Sequence, residues 1–276
     1  MLKVAKFGGS SLADAAQFQK VRNIVLSDDA RRLIVVSASG KRNKNDNKIT
    51  DLLYLCHAHL QYSVSCEQVF SMIESRYLDI KRELGLAVDI ESDFARLRQK
   101  LDKSLSVDEL VSRGEFLTAR MMAEFLGYDF VDAAQLVCFD FDGKLNLDKT
   151  YEAMRQALSE HERIVMPGFY GSLPSGRIKV LSRGGSDISG ALLAAATGAD
   201  VYENWTDVSG ILMADPRIIE TPRRIDIVTY PELRELAYMG ANVLHEGAIY
   251  PVKDAGIPIN IRNTNQPDDP GTIICD

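Results

Sequence analysis

The chain has 276 residues and a formal net charge of −7, with 46% hydrophobic and 26% charged residues. These values are typical of a globular protein with a sizeable core, built as one large domain or as two lobes around a crevice. The acidic balance argues against a broad nucleic-acid-binding face but is compatible with a local anion site.

The first half of the chain alternates between apolar strands and helical patterns. A strand ends at Lys6, two glycines follow as a turn, and an amphipathic helix begins near Asp14. "RRLIVVSAS" then predicts a second, buried strand, and "KITDLLYLCHAHLQ" predicts a helix. Residues 66–127 are almost wholly helical in pattern. Breaks in this region are expected near Gly85, Asp89 and Ser106.

The second half repeats this alternation. "YDFVDA" and "ERIVMPGFYG" are strand-like and flank the helix "DKTYEAMRQALSEH", and "LSRGGSD" leads into the helix "ISGALLAAATG". A strand at "ADVYENWTD" precedes a short hairpin at "GILMADPRI", two helical segments within residues 230–256, and closing strands at "IPINIRNT" and "GTIICD". Strands separated by helices predict an α/β protein with a mainly parallel sheet.

Neither the cysteines nor the apolar runs indicate a secreted or membrane protein. The four cysteines form no C-x-x-C pair and look like free thiols in a reducing compartment. The first apolar segment is too short and too rich in lysine for a signal peptide, and no run approaches the length of a membrane span. We therefore expect a cytoplasmic protein with neither a membrane nor a nucleic acid as partner.

A polar, charged segment, "GKRNKNDNK", occupies residues 40–48. Such segments are usually solvated surface loops, but this one could also be a mobile lid that a bound ligand orders. The pattern alone does not separate the two interpretations.

The common phosphate-binding and catalytic motifs are absent. The sequence has no G-x-x-x-x-G-K-[ST] loop, no G-x-G-x-x-G fingerprint and no G-x-S-x-G elbow. "DFDG" at residues 140–143 lacks the preceding H-R-D of protein kinases and is interpreted as a turn. "HEGAI" at residues 245–249 lacks the second histidine of a zinc helix. These absences argue against a zinc or histidine-base enzyme.

The opening "MLKVAKFGGSSL" places a lysine at the end of an apolar strand. Lys6 shares a strand face with Leu2 and Val4, and Gly8 and Gly9 follow with backbone N–H groups in a tight turn. A strand, a glycine turn and a helix with a cation between them make a plausible anion cradle. The alternative is a tight turn beside a lysine whose amine reaches solvent.

A second glycine turn, in "LSRGGSDISG", follows an arginine instead of a lysine. The planar guanidinium of Arg183 suits bidentate binding of a carboxylate. Ser186 and Asp187 stand at the start of an alanine-rich helix, where either could be a plain N-cap. We favour a functional role because the arrangement repeats that of the opening segment.

The segment "DELVSRGEFLTARMMAEFLG" places Glu115 inside the apolar stripe of a helix. A carboxylate on an apolar face needs a partner. That partner could be Arg113, Arg120 or the ammonium group of a ligand, and the pattern favours none of them.

Polar residues also end a later strand, in "NWTDVSGILMADPR". Thr206 and Asp207 lie where the strands of an α/β sheet bind ligands, and Asp215 and Arg217 follow the hairpin, although an ordinary Asp-Pro turn explains these two equally well. Two glycine turns, an arginine, a glutamate on an apolar face and polar strand ends together suggest a phosphate-bearing nucleotide beside a small zwitterion.

Taken in order, these motifs resemble the aspartate kinases of the amino acid kinase superfamily over essentially the whole chain. The set "KFGGSS", "SRGE", "PGFYG", "SRGGSD", "TDVSGILMADPR", "GANVLH" and "IPINIRNT" is highly specific, although each motif alone is weak. The resemblance implies a three-layer α/β/α domain over residues 1–276. Residues 1–180 would form an aspartate-binding N-lobe and residues 181–276 an ATP-binding C-lobe.

The resemblance also implies roles for individual residues. Lys6 and Asp187 would be catalytic, with Lys6 neutralising the phosphates and Asp187 orienting it. The residues expected to hold aspartate are Ser39, Thr50, Glu115, Arg183 and Ser186. Those expected to bind ATP are Lys6, Gly8, Gly9, Ser10, Thr206, Asp207, Leu212, Arg217, Asn242 and Val243.

The implied activity is phosphorylation of the β-carboxylate of L-aspartate by ATP with Mg²⁺, the first step of lysine, threonine and methionine synthesis in the family. A homodimer is expected by the same resemblance. Two alternatives stay open, namely a sister enzyme such as a glutamate kinase, and a non-catalytic nucleotide-binding or regulatory subunit.

This sequence departs from the family pattern in three places. Asn242 replaces the usual lysine, Glu246 the usual proline, and Leu212 a tyrosine; Lys253 or Arg262 could supply the missing cation. Relatives usually continue into regulatory domains, whereas these residues stop just after the catalytic region, as in a truncated chain or a naturally short enzyme. We therefore expect catalysis without feedback inhibition.

Overall fold

The structure, a computed structural model, describes residues 1–182, 184–214, 219–220, 222–238, 244 and 246–276. Among the helices in these ranges, none combines the length and the apolar character needed to cross a membrane.

The first elements follow directly from the apolar pattern. Two strands of apolar residues flank a helix that begins where Asp14 accepts a hydrogen bond from the backbone N–H of Gln17 at 2.9 Å. The three elements are β1 (Lys3–Phe7), α1 (Ala15–Leu26) and β2 (Arg31–Val36).

The helical region breaks where the sequence predicts. Gly85 ends one helix in the left-handed conformation (φ 65°), and the side chains of Asp89 and Ser106 cap the next two by accepting backbone N–H groups. The helices are α2 (Ile49–Gln61), α3 (Glu67–Leu84), α4 (Ile90–Gln99) and α5 (Val107–Leu126).

The strand predicted at "ERIVMPGFYG" is in fact two strands. Phe169 has a φ of 79°, which no regular strand accommodates, so the chain turns between them. "DFDG" is the predicted turn, closed by a 2.9 Å hydrogen bond from Gly143 N–H to the Asp140 carbonyl. The elements here are β3 (Asp129–Phe130), α6 (Ala133–Leu136), α7 (Leu147–Glu160), β4 (Ile164–Pro167), β5 (Tyr170–Ser172) and β6 (Ile178–Val180).

The C-terminal third contains the predicted hairpin, but it is longer than expected. Its first strand, β8 (Ile211–Leu212), pairs antiparallel with β9 (Arg224–Ile225), outside the predicted segment. The other elements are α8 (Gly185–Thr197), β7 (Val201–Thr206), β10 (Ile227–Thr229), α9 (Tyr230–Tyr238), α10 (Glu246–Asp254), β11 (Ile259–Asn263) and β12 (Thr272–Cys275).

Eight of these strands form one sheet in the order β10-β12-β11-β7-β1-β2-β4-β3. All neighbours in it are parallel except β11 and β12. One apolar core fills the space between the sheet and α1 to α5, and a second lies between the opposite face and α6 to α10. The predicted three-layer α/β/α fold with a mainly parallel sheet is confirmed.

The centre of the sheet determines where a ligand can bind. β1 lies between β2 and β7 and is parallel to both, so the carboxyl ends of the three strands and the polar residues there lie at the same edge of the sheet. Val4 belongs to the core on the α8 side, whereas Ala5 and Phe7 belong to the opposite core. Lys6 therefore faces α8 and lies opposite Asn204 of β7 in register.

Candidate active site

Lys6 forms a buried ion pair. It is 7% exposed, and its Nζ lies 2.6 Å from Oδ1 of Asp187 in the first turn of α8. Asn204 donates a 2.9 Å hydrogen bond from its side-chain amide to the same oxygen. The alternative of a lysine reaching solvent is wrong, because the amine is held inside the site by two neighbouring elements.

The turn after β1 packs directly against the turn after β2. The Gly8 N–H bonds the Trp205 carbonyl at 2.9 Å, and the Gly40 N–H bonds the Gly9 carbonyl at 2.8 Å. A Cβ atom on Gly9 would lie 2.8 Å from the Ala38 carbonyl oxygen, and one on Gly40 only 2.5 Å from a Gly9 backbone atom. Glycine is required at both positions because the two backbones touch. Ser10 follows in the 3₁₀ turn Gly9–Leu12.

At the second glycine turn, neither Ser186 nor Asp187 is the N-cap of the following helix. Gly184, with a φ of 77°, is the residue that precedes α8, and no side chain caps this helix. Ser186 and Asp187 therefore lie inside its first turn, so the N-cap interpretation is wrong. Ser186 packs closely on Gly168. A Cβ atom added to Gly168 would lie only 2.7 Å from the Cβ atom of Ser186. Arg183 lies outside the described residues.

Glu115 of α5 is 4% exposed. Burial raises the pKa of its carboxyl to about 8, against the opposing influence of the nearby Ala38 backbone and of the charges on Arg113 and Lys6. Its Oε2 has no hydrogen-bond partner within the described residues. Arg113 donates to Ser112 and Arg120 pairs with Asp93, so the internal salt bridge considered for Glu115 is wrong.

Ser39 and Thr50 lie at the two ends of loop 40–48. The Ser39 carbonyl accepts a 3.1 Å hydrogen bond from the N–H of Ile49, the first residue of α2, and Thr50 is the next residue. Ser39 is buried, and its Oγ lacks a partner among the residues described. The two ends of the loop, called its stems below, are thus joined by a hydrogen bond between their backbones, and they lie beside Gly9.

The residues predicted for the nucleotide are only partly described. Thr206 ends β7, where its hydroxyl donates to Asp207 at 3.2 Å, and Leu212 lies in β8. Three others, Arg217, Asn242 and Val243, lie outside the described residues, and their assignment stays a prediction.

The two cations suggested as replacements for the missing lysine both lie over aromatic rings. Arg262 stacks 4.6 Å over the ring of Trp205, on the sheet face opposite Lys6, and donates to the Pro267 carbonyl at 2.7 Å. Lys253 lies 5.8 Å over the ring of Tyr230. The suggestion is therefore wrong for Arg262, because the sheet separates it from Lys6.

Two residues that contact this site were not predicted. Asn204 follows Glu203 within β7 and has no distinguishing local pattern; only the pairing of β1 with β7 places it beside Lys6. Arg76 of α3 reaches the stems of loop 40–48, and no sequence pattern signals a contact between elements this far apart.

The arrangement combines a buried cation and two glycine turns with a buried carboxyl, one oxygen of which has no partner in the described part of the chain, at the carboxyl edge of a parallel sheet. Such a site can hold an anion beside an ammonium group. The chain belongs to the amino acid kinase family, whose model matches residues 1–263. The family resemblance seen in the motifs is thereby confirmed.

Within that family, the chain is similar to aspartokinases. It is 38% identical to aspartokinase 3 of Bacillus subtilis, over 99% of this chain and 63% of the relative. The lysine-sensitive aspartokinase 3 of Escherichia coli is 32% identical, over 99% of this chain and 64% of its own length. The chain thus spans less than two thirds of these relatives.

Solved structures agree with this placement. The aspartate kinase of Clostridium acetobutylicum superposes with a TM-score of 0.94 at 49% identity, over 99% of this chain and 62% of that one. Aspartokinase III of E. coli, solved in complex with aspartate and ADP, gives a TM-score of 0.87 at 30% identity, over 100% of this chain and 65% of that one.

Proposed function

We propose that this chain carries the catalytic region of an aspartate kinase, which transfers the γ-phosphoryl group of ATP to the β-carboxylate of L-aspartate. The observation that carries the proposal is the buried Glu115 carboxyl, whose Oε2 has no hydrogen-bond partner among the described residues, in the same site as the buried Lys6. The similar E. coli enzyme was solved with aspartate and ADP, which supports the same ligands here.

The reaction needs no general base. The β-carboxyl of aspartate, with a pKa near 3.9, is already ionised at neutral pH. One of its oxygens attacks the γ-phosphorus, the bond from that phosphorus to the β–γ bridging oxygen breaks, and ADP leaves. The products are 4-phospho-L-aspartate and ADP.

The obstacle to this reaction is repulsion between two anions. Lys6 would reduce it, because its amine is desolvated and fixed by Asp187 before any ligand binds. The N–H groups of Gly9 and Ser10 would add dipoles directed at the phosphates, while the Gly8 N–H holds the turn against the Trp205 carbonyl. Thr206, Asp207, Leu212, Arg217, Asn242 and Val243 would form the rest of the nucleotide site.

Aspartate would bind on the α5 side. Glu115 would accept its ammonium group, and Arg183 would pair with its α-carboxylate. Ser39, Thr50 and Ser186 would complete this side, within an N-lobe of residues 1–180 facing a C-lobe of residues 181–276. The carboxylate of Glu115 suits this role because its remaining oxygen requires a donor.

Magnesium would enter with the nucleotide as Mg·ATP. The described residues contain no group of three or more side chains placed to hold a metal ion by themselves. Mg²⁺ usually binds through substrate phosphates, water and one or two carboxylates. Asp187, 19% exposed, is the carboxylate that the site offers, and the ion would spread the charge of the triphosphate.

The decisive experiment measures ADP release and hydroxamate formation with Mg·ATP, comparing kcat/KM for L-aspartate and L-glutamate. We expect aspartate to be preferred. A preference for glutamate would assign a sister enzyme, and absence of turnover with either would favour a non-catalytic nucleotide-binding subunit.

Four further proposals accompany the activity. Light scattering tests the expected homodimer, and the chain's effect on a strain that lacks aspartate kinase tests its place in lysine, threonine and methionine synthesis and its cytoplasmic location. Titration of lysine and threonine, singly and together, tests the prediction of catalysis without feedback inhibition. Strong inhibition at millimolar concentrations would contradict it.

A further inference from the structure

Loop 40–48 is fastened by a residue from a different element, Arg76 in α3. The Arg76 side chain is 4% exposed. Its Nη1 donates to the Gly40 carbonyl at 3.2 Å and to the Asn47 carbonyl at 2.8 Å, and its Nη2 donates to Oδ1 of Asp46 at 2.5 Å. One guanidinium group therefore bonds the first residue of the loop and two residues near its end.

These stems lead directly to the site. Gly40 bonds Gly9 of the β1 turn at 2.8 Å, and Ser39 precedes it with a buried hydroxyl that has no partner in the described ranges. Asn47 is followed within three residues by Thr50. The hydrogen bonds of Arg76, called the clamp below, thus reach one residue adjacent to Ser39 and another three positions before Thr50, and Ser39 and Thr50 are both proposed to bind aspartate.

The neighbouring residue of α3 contacts the other wall of the aspartate side. Tyr77, fully buried, donates from its hydroxyl to the Gly114 carbonyl at 2.7 Å, immediately before Glu115. Consecutive residues of one helix therefore fix both the loop stems and the turn of α5 that carries the buried carboxylate.

The loop needs such a clamp for a physical reason. Residues 41–47 belong to no helix or strand, and ordering each backbone unit opposes folding through lost conformational entropy. A planar, charged guanidinium can hold three acceptors at fixed angles, which a lysine ammonium on a flexible stem cannot reproduce.

We propose that Arg76 is a positioning residue for the amino-acid substrate, which places Ser39 and Thr50 by joining both stems of loop 40–48. This inference rests on the proposed function for the identity of the substrate, but not for the clamp itself. Arg76 acts through the loop and does not contact the reacting atoms.

Two variants test the role, Arg76→Met and the milder Arg76→Lys. We expect KM for aspartate to rise roughly tenfold in Arg76→Met and less in Arg76→Lys, because hydrogen bonds from a charged donor are lost. KM for Mg·ATP is expected to change by less than about twofold. A merely structural role would lower the active fraction, and hence the apparent kcat, without moving KM for aspartate; that result would overturn the proposal.

Arg42→Ala is the matched control. Arg42 pairs with the same Asp46 carboxylate at 2.8 Å, but its side chain is about half exposed (46%), and the hydrogen bonds described for it go to Asp46 instead of Gly40 or Asn47. Its removal should leave KM for aspartate within about twofold of the wild type. An equal rise in Arg42→Ala and Arg76→Met would assign the effect to Asp46 and contradict the clamp.

Hydrogen exchange separates this inference from the proposed function. The amides of Gly40 and Ile49 should exchange faster in both Arg76 variants than in the wild type and in Arg42→Ala. This measurement needs no activity, so it remains decisive if the wild type fails to turn over aspartate or if Arg76→Met folds poorly and only Arg76→Lys can be used. Unchanged exchange at both amides would overturn the clamp.

Discussion

The two sides of the candidate site satisfy their polar groups differently. On the α8 side, Lys6, Asp187 and Asn204 pair with one another inside the chain. On the α5 side, Ser39 Oγ and Glu115 Oε2 are buried and lack partners within the described residues. Buried polar atoms are nearly always hydrogen-bonded in native proteins, so the α5 side indicates a ligand that supplies donors.

This difference separates two tasks. The α8 side is a finished electrostatic scaffold whose geometry does not depend on the amino acid. On the α5 side a ligand would supply the missing hydrogen-bond donors. Until it binds, the buried carboxyl of Glu115 lowers the stability of the protein. Substitutions on the α8 side should therefore reduce the stabilisation of charge in the transition state. Substitutions on the α5 side should reduce selectivity for the amino acid.

The largest effect is expected from Lys6→Ala. Removal of the buried ammonium should lower kcat about 10³-fold, because no other described cation pairs with Asp187. Lys3→Ala is the matched control, since Lys3 lies on the same strand but faces the opposite side and pairs with Asp28 at 2.8 Å. Steady-state kinetics check both variants, and full activity in Lys6→Ala would remove Lys6 from the mechanism.

The stability of the chain should fall as pH rises from about 4.5 to 8. In this window the unfolded Glu115 carboxyl is ionised while the folded one stays protonated, since its pKa is raised to about 8. Folding takes up a proton, so the free energy of unfolding decreases with pH, by roughly 3–5 kcal/mol across the window.

Denaturant titrations of the wild type and Glu115→Gln at several pH values isolate this contribution. The difference between them should be present at pH 8 and vanish toward pH 4.5. If the free energy of unfolding changes with pH equally in the two proteins, the Glu115 carboxyl titrates normally and the α5 side carries no unpaired charge.

Aspartate binding should depend on the same group. Only ionised Glu115 pairs with an ammonium ion, so KM for aspartate should rise roughly tenfold for each unit that pH falls below about 8. Kinetics in the unchanged chain and in Glu115→Gln check this. The variant should bind aspartate weakly at every pH, and a persisting slope in it would assign the dependence to another group.

The smallest effect is expected from Asn204→Leu. The variant removes the 2.9 Å hydrogen bond to Asp187 but leaves the ion pair with Lys6, so kcat should fall about fivefold. Tyr202→Phe is the control, because the Tyr202 hydroxyl bonds the Asp187 backbone carbonyl and not its carboxylate. If both variants lose activity equally, Asn204 does not orient the carboxylate specifically.

The sequence predicted elements well where local chemistry decides them. The left-handed Gly85 and the caps Asp89 and Ser106 fixed the helix boundaries, and the apolar stripe singled out Glu115. The predicted start of α8, with Ser186 or Asp187 as its N-cap, was wrong. The helix instead begins after Gly184, which is in the left-handed conformation, and no side chain caps it.

Contacts between distant parts of the chain could not be predicted in this way. Asn204 meets Lys6 only through the register of β1 with β7, and Arg76 meets Gly40 only because α3 packs beside the loop. Neither position has a local pattern that distinguishes it from an ordinary strand or helix residue.

The contact between Gly9 and Gly40 has a consequence for how this site can change. It joins the turn after β1, proposed to hold the nucleotide, to the turn after β2, proposed to hold the amino acid, through peptide groups alone, with no space for a methyl group on either backbone. A library randomised at both positions should therefore return glycine at each. New substrate preferences would have to arise from the surrounding walls, while the junction between the two turns stays invariant.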